Sequence, residues 1–317
     1  MSKITRRSFV KTAAVAAGPF MAHPFAIGQA GASANSKLNI AAIGAGGRAN
    51  SNIGDCASSE NIVALCDVND NSAADAYRKF PNAKKFKDFR SMLDLMEKEI
   101  DAVLVSTPDH THFSAAMAAM ERGIHVYVEK PLAHNVWEVR TLKKAAHHYK
   151  VISQMGNQGH ATEGIRYIKE WTEAGVLGNV TEVLAWFGGP NFQGNYFSKP
   201  ESFPPPAEPV PDGLDWNLWL GPAKERPFND CYVPRHWRGW YDFGNGELGD
   251  WACHTLDGPF WALSLGMPTV IEAELRSEGP TSFVPEKSII RFEFPARNGM
   301  PPVTLKWHDG YVKPEVR

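Results

Sequence analysis

Between Lys37 and Gly156 the chain alternates short apolar runs with longer amphipathic ones, and this alternation constrains the fold more than any other feature. "LNIAAIG" (38–44), "NIVALCD" (61–67), "DAVLVST" (101–107), "IHVYVE" (124–129) and "VISQMG" (151–156) read as strands buried on both faces of a parallel sheet. The stretches between them, among them "DNSAADAYRKF" (70–80) and "WEVRTLKKAAHHY" (137–149), have the length that parallel crossovers require. The expected fold over residues 36–156 is a doubly wound α/β domain with helices on both sheet faces.

After residue 156 the pattern changes. A helix ("TEGIRYIKEWTEA", 162–174) leads to a strand ("VTEVLAWF", 180–187), and a loop rich in Pro, Gly and aromatics follows from Gly188 to about Gly246. Its "FPPPAEPVP" (203–211) excludes regular structure, because proline lacks the donor that helices and ladders need. "TVIEAELRS" (269–277), "KSIIRFEFP" (287–295) and "PPVTLKWHDG" (301–310) alternate as one-sided antiparallel strands do. Residues 157–317 therefore read as a second, α+β domain that would bind the substrate.

Composition narrows the partner. The chain of 317 residues is 43% hydrophobic and 21% charged with a net charge of −2, which is globular and long enough for two cores. Without basic runs, nucleic acid is not the expected partner; a small molecule is. Cys56, Cys66, Cys231 and Cys253 form no C-x-x-C pair, so neither a disulfide framework nor a metal site is expected. Residues 1–34 stand apart. "TRRSFVK" (5–11), a weakly apolar "TAAVAAGPFMA" and the small residues Ala30-Gly31-Ala32 resemble a twin-arginine export signal. The apolar stretch, broken by Gly18 and Pro19, is too short to span a bilayer. An exported, periplasmic location is the expectation.

Three motifs carry chemistry. "IGAGGRA" (43–49) follows the first strand and opens a helix, with Gly44, Gly46 and Ala49 in the small positions of a dinucleotide fingerprint and Gly47 and Arg48 beside them. The helix N-terminus supplies unpaired N–H donors for a pyrophosphate. Asp67 ends the next strand about 20 residues on, where a ribose-binding acid is expected. Its carboxylate favours NAD over NADP by repelling a 2′-phosphate, a preference that Arg48 or Arg78 would soften. "STPDHTH" (106–112) and "VEKP" (128–131) both end strands, at the sheet edge where ligands bind. Thr107, Pro108, His110, His112 and Glu129 are expected to line the nucleotide site. Lys130, beside a nicotinamide, is a candidate proton carrier. In "GELGDWACHTLDGPFW" (246–261) Asp250 and His254 share one helix face, which Asp257 and Trp261 continue, with Pro259 expected to distort the helix. Such a carboxylate–imidazole pair can relay and orient a proton.

Together "GAGGRA", "CDV" (66–68), "TPDHTH" (107–112), "EKPL" (129–132) and "GDWACH" (249–254) resemble the glucose–fructose oxidoreductase, inositol dehydrogenase and rhizopine-catabolism (Gfo/Idh/MocA) family over nearly all of the chain after residue 37. The resemblance implies a Rossmann domain joined to a largely antiparallel, open-faced sheet, and NAD-dependent oxidation of a sugar or cyclitol hydroxyl. It implies catalytic roles for Lys130, Asp250 and His254, with Glu129 holding Lys130 in place. Substrate contacts are expected at His160, Trp240 and Asp257. The aromatics of residues 186–241 (Trp186, Phe192, Tyr196, Trp216, Trp219, Trp237, Trp240 and Tyr241) suit either stacking on sugar faces or anchoring of the loop. Exported members run longer than "VKPEVR", so C-terminal truncation is expected, and a homo-oligomer stays open. Three functions fit: a dehydrogenase, a glycosidase that retains NAD through oxidation, elimination, hydration and reduction, and a non-catalytic sugar- or nucleotide-binding protein.

Overall fold

Strands β1 (Asn39–Ile43), β2 (Asn61–Cys66), β3 (Lys84–Phe86), β4 (Ala102–Val105), β5 (His125–Glu129) and β6 (Ser153–Gly156) form one parallel sheet in the order β3-β2-β1-β4-β5-β6. The computed structural model describes residues 37–187, 199–310 and 312–315. The export signal read over residues 1–34 and the aromatics Phe192 and Tyr196 lie outside the described residues.

Both faces of this sheet are buried along its inner strands β2, β1, β4 and β5, as their apolar runs require, whereas the edge strand β6, expected to be buried too, exposes Ser153 and Gln154. Ile40 and Ala42 of β1 pack with Ile53, Leu65 and Leu104 on one side, whereas Ala41 and Ile43 pack with Met92, Val103 and Met120 on the other. Helices α1 (Arg48–Ala57), α2 (Asp70–Lys79), α3 (Phe89–Met96), α4 (Asp109–Glu121) and α5 (Val136–Tyr149) supply the crossovers. The doubly wound sheet is the one expected. Strand β3 was not anticipated: its Lys84 and Lys85 are exposed, and an edge strand of three residues needs no apolar run.

The second domain opens with a 3₁₀ turn (Gln158–Ala161) and α6 (Glu163–Glu173), followed by β7 (Glu182–Trp186) and α7 (Trp216–Leu220). Then come α8 (Gly246–Asp250), α9 (Ala252–Thr255), α10 (Asp257–Ala262), β8 (Val270–Arg276), β9 (Ser288–Phe294) and β10 (Val303–Asp309). The sheet order is β7-β10-β9-β8. Strand β9 runs antiparallel to both neighbours, but β10 pairs parallel with β7, so the sheet is mixed. Strand β8 is exposed along its whole length. Trp307, in the central strand β10, is fully buried against Ala185, Ala252, Trp251 and Leu256. It thus lies beneath the short helices that carry Asp250 and His254.

Residues 203–211 are irregular, as expected, and the described residues after them hold a core of their own. Trp219, Tyr232, Trp237, Trp240 and Phe243 pack with Phe283, and Trp216 leans on them. Of the two uses open to these aromatics, Trp240 takes the anchoring one. It is 2% exposed, and its Nε1 donates to the Cys231 carbonyl at 3.2 Å. The expectation that Trp240 contacts substrate is therefore corrected: bulk and one satisfied donor make it a core residue.

Glu247 of α8 is buried, and neither carboxyl oxygen has a hydrogen-bond partner among the described residues. Burial, with smaller contributions from Asp309 and Asp250, pushes its pKa up to about 9. A raised carboxyl favours folding while protonated, so its contribution is fully present below the usual glutamate range and is lost as pH climbs towards 9. Glu247→Gln removes that loss, so melting temperatures should show the variant gaining on the parent between pH 5 and pH 9; parallel profiles would contradict the burial of this acid. Trp307→Ala should cost about 3–5 kcal/mol in denaturant unfolding, and a loss no larger than that of a surface substitution would contradict its packing.

Candidate active site

A cavity of about 860 Å³ opens at the carboxyl ends of β1 and β4, where the strand order reverses. This is the position at which open α/β sheets bind ligands. Its floor is the turn after β1. Gly44 has φ +84°, and a Cβ there would stand 2.7 Å from the Ser106 carbonyl oxygen. A Cβ on Gly46 would stand 2.6 Å from the Ser72 carbonyl oxygen. No side chain fits, so bare backbone faces the cavity. Helix α1 starts just beyond, with Gly47 at its cap, no side-chain cap and no acid in its first turn. The Ala49 and Asn50 N–H groups turn back onto the Gly46 and Gly47 carbonyls at 3.0 and 3.2 Å, and the helix start, with no acid beside it, presents its positive dipole end to an anion such as a pyrophosphate.

Asp67 lines the same cavity. Its two oxygens accept the Ala45 and Asn69 N–H groups, each at 2.8 Å, which fixes the carboxylate while leaving lone pairs for a ribose hydroxyl. Burial pushes its pKa up, opposed by these backbone donors and by Lys87. Arg78 pairs with Asp75 on the surface, away from the cavity, while Arg48 lines it with Nε 3.4 Å from Glu129 Oε1. These residues fit a dinucleotide.

Thr107 and Pro108 line the cavity, but His110 and His112 do not. Both imidazoles are buried behind its wall. His112 stands where the loop after β4 meets the loop after β5, with a ring nitrogen 2.8 Å from each of the Thr107 and Pro131 carbonyl oxygens; a neutral ring, having one N–H, donates to one of the two. His110 Nε2 donates to the Trp219 carbonyl at 3.0 Å. Burial pulls both pKa values down, that of His110 to about 4. The two histidines hold the walls instead of touching a ligand, which corrects the expectation that they line the site. No group of three or more potential metal ligands occurs among the described residues.

At the other end of the cavity the two domains meet. Lys130, at the end of β5, puts Nζ on the Asp250 carboxylate and 2.6 Å from the Asp250 carbonyl oxygen. Both side chains are largely buried, at 14% and 6% exposure. An ammonium has three donors, and two are spent on Asp250, which leaves one for the cavity that Lys130 lines. Arg238 Nε lies 3.3 Å from the second Asp250 oxygen. His254 also lines the cavity; burial, and then the charge of Lys130, lower its pKa, so it stands neutral at physiological pH.

Three expectations change here. Asp250 and His254 do not sit on one helix. The segment breaks at Trp251 into α8 and α9, and Asp250 pairs with Lys130 and Arg238. Pro259 distorts nothing, because it falls in the first turn of a separate helix, α10, where its missing N–H is not needed. Glu129 does not hold Lys130. Its Oε1 accepts from Asn52 Nδ2 at 2.7 Å and from Gln158 Nε2, so that it binds α1 to the 3₁₀ turn. His160 and Asp257 bond to each other, with Nδ1 2.9 Å from Oδ2, and His160 packs on Trp261; neither lines the cavity.

Sequence reasoning missed Asn52, Gln158, Arg238 and Asp109. Asp109 stands within the quoted T-P-D-H stretch. It lines the cavity, accepts from Asn245 Nδ2 at 3.1 Å, and has its pKa pushed up to about 7 by burial and by the charge of Asp250. Arg238 carries no local signal, since it reaches Asp250 only through the fold of the aromatic loop.

Residues 38–157 match a family model described as the oxidoreductase family's NAD-binding Rossmann fold, and residues 161–278 match the same family's C-terminal alpha/beta domain. Levoglucosan dehydrogenase of Pseudarthrobacter phenanthrenivorans is 27% identical over 68% of this chain and 47% of its own length. Inositol 2-dehydrogenase/D-chiro-inositol 3-dehydrogenase of Lacticaseibacillus casei is 30% identical over 50% of this chain and 46% of its own. The aligned stretch thus spans just under half the length of either relative. Among solved structures, levoglucosan dehydrogenase in complex with NADH and levoglucosan aligns with a TM-score of 0.61 at 21% identity, covering 87% of this chain and 68% of that one. The WlbA dehydrogenase of Bordetella pertussis, in complex with NADH and UDP-GlcNAcA, gives 0.62 at 17%, covering 88% and 74%. At these identities the structural likeness speaks for the fold, and the two family models speak for descent. An NAD-binding Rossmann domain followed by the family's own second domain places the chain in the Gfo/Idh/MocA oxidoreductase family.

Proposed function

We propose that the protein oxidises a secondary hydroxyl of a sugar or cyclitol with NAD as hydride acceptor and Lys130 as the proton carrier. The observation that carries this is the meeting of Lys130 and Asp250 in the cavity that the glycine turn and Asp67 also line. The names of the levoglucosan and inositol dehydrogenases support the substrate class. Bound NAD supplies a hydride acceptor at the nicotinamide ring.

The chain's own groups do the rest. The glycine turn and the α1 N-terminus hold the pyrophosphate, and Asp67 holds the adenosine ribose. With two N–H groups on Asp250, the amine form of Lys130 turns its lone pair to the cavity and takes the one proton that the substrate hydroxyl gives up. Asp250 fixes the position of that nitrogen through both its carboxylate and its carbonyl. Neutral His254 orients the same oxygen and relays that proton onward. Asp109 and Arg238 set the charge around Asp250. Export through the twin-arginine pathway belongs to the same proposal and rests on residues 5–11, the weakly apolar stretch after them and Ala30-Gly31-Ala32. No helix among the described residues is long and apolar enough to cross a membrane.

Lys130→Met should lower kcat/KM on the responding sugar or cyclitol by about 10²–10⁴, while a fluorescence titration with NADH still saturates. Unchanged turnover would remove Lys130 from the chemistry. Unchanged ligand binding with no turnover in the parent itself, across a panel of sugars, cyclitols and aryl glycosides, would favour a non-catalytic binding protein.

A further inference from the structure

The aromatic loop crosses onto the nucleotide edge of the Rossmann sheet at residues 212–220, and it is fastened there. The Asp215 N–H donates to the Val68 carbonyl at 2.8 Å, and the Asp70 N–H donates to the Gly213 carbonyl at 3.0 Å. Asn71 Nδ2 donates to the Asp212 carbonyl at 2.8 Å and Lys87 Nζ to the Gly213 carbonyl at 2.7 Å. Leu214 also pairs with Asn69 as an isolated bridge. The loop thus gripped, residues 68–71, follows directly on Asp67, and Val68 and Asn69 line the cavity beside it. From the opposite side Leu218 and Trp219 of α7 line the same cavity.

The two ends of this segment differ. Trp219 is anchored: His110 bonds its carbonyl, and its ring lies 4.8 Å from both Trp216 and Phe243. Residues 212, 213 and 215 are exposed and hold residues 68–71 by hydrogen bonds, which open far more readily than a packed core, while Leu214 between them is buried in the aromatic cluster and must leave it for the latch to open. The geometry is that of a strap with one fixed end and one latched end, laid over the end of the cavity that Asp67 marks as the adenosine half.

We propose that residues 212–220 form the outer wall of the adenosine site, with Leu218 and Trp219 against the base, and that NAD leaves only when the strap unlatches from residues 68–71. This rests on the NAD-binding reading above. Opening of the strap then sets the rate at which the nucleotide leaves.

The latch can be locked chemically. A Cβ on Gly213 would stand 3.6 Å from Asp70 Cβ, within the span of about 3.5–4.5 Å between the Cβ atoms of a disulfide, although at φ +85° the new cysteine is strained. In the Asp70→Cys, Gly213→Cys protein, loaded with NADH and diluted into excess NAD, the oxidised form should lose nucleotide fluorescence about tenfold more slowly than the same protein after reduction. Equal rates would overturn the strap. A second variant, Asn71→Ala with Leu218→Ala, loosens the latch and the wall without entering the aromatic core. It should release NADH about tenfold faster than the parent, and an unchanged rate would overturn the proposal should the cysteine pair fail to fold. Failure of the parent protein to bind NADH would overturn the NAD reading itself, which separates the two outcomes.

Discussion

The contact between Lys130 and Asp250 is the point on which the site depends. One partner ends a strand of the Rossmann sheet and the other ends a short helix resting on the second sheet, so neither domain contains the pair by itself. Both groups are largely buried, and a buried ammonium or carboxylate is costly unless it is paired. The pairing therefore does two things at once. It satisfies two charges that could not be buried separately, and it fixes the closure of the cavity between the glycine turn and α8. Arg238 and Asp109 extend the network, and their charges must be counted in any argument about proton movement here.

Around that contact the protein separates holding from reacting. His112, His110 and Glu129 look like reactive groups in the sequence, but their polar atoms are turned mainly to carbonyls and amides of neighbouring elements, Asn52 among them. They stitch the loops after β4 and β5, helix α1 and the strap into one rim. Lys130, His254, Asp67 and the glycine turn face the cavity, together with Arg48, Asp109, Glu129 and Arg238. Trp307 does the corresponding work from below, as its ring fills the space under Trp251 and Ala252 and so sets the height of Asp250.

Much of this was legible in the sequence because it is local. Strands β1, β2, β4 and β5 lie in apolar runs, and Gly44, Gly46 and Asp67 fall at spacings imposed by a dinucleotide on a strand–turn–helix. The strand β3 was hidden because two lysines at a sheet edge carry no apolar signal. The parallel pairing of β10 with β7 joins segments more than a hundred residues apart, and nothing in either strand announces its partner. The break at Trp251 was hidden as well, since i, i+4 spacing is the same whether a helix continues or tightens for one residue. Residues of the aromatic loop were the least legible. Trp240, Trp219 and Arg238 have the same local surroundings, yet one fills a core, one walls the cavity and one meets Asp250.

The most direct measurement is a crystal structure of the protein grown with NAD. The account predicts the adenosine ribose hydroxyls on Asp67, the pyrophosphate over the turn from Gly44 to Arg48, and the nicotinamide ring against Lys130. A dinucleotide bound elsewhere, or one whose nicotinamide end points away from Lys130 and Asp250, would contradict it.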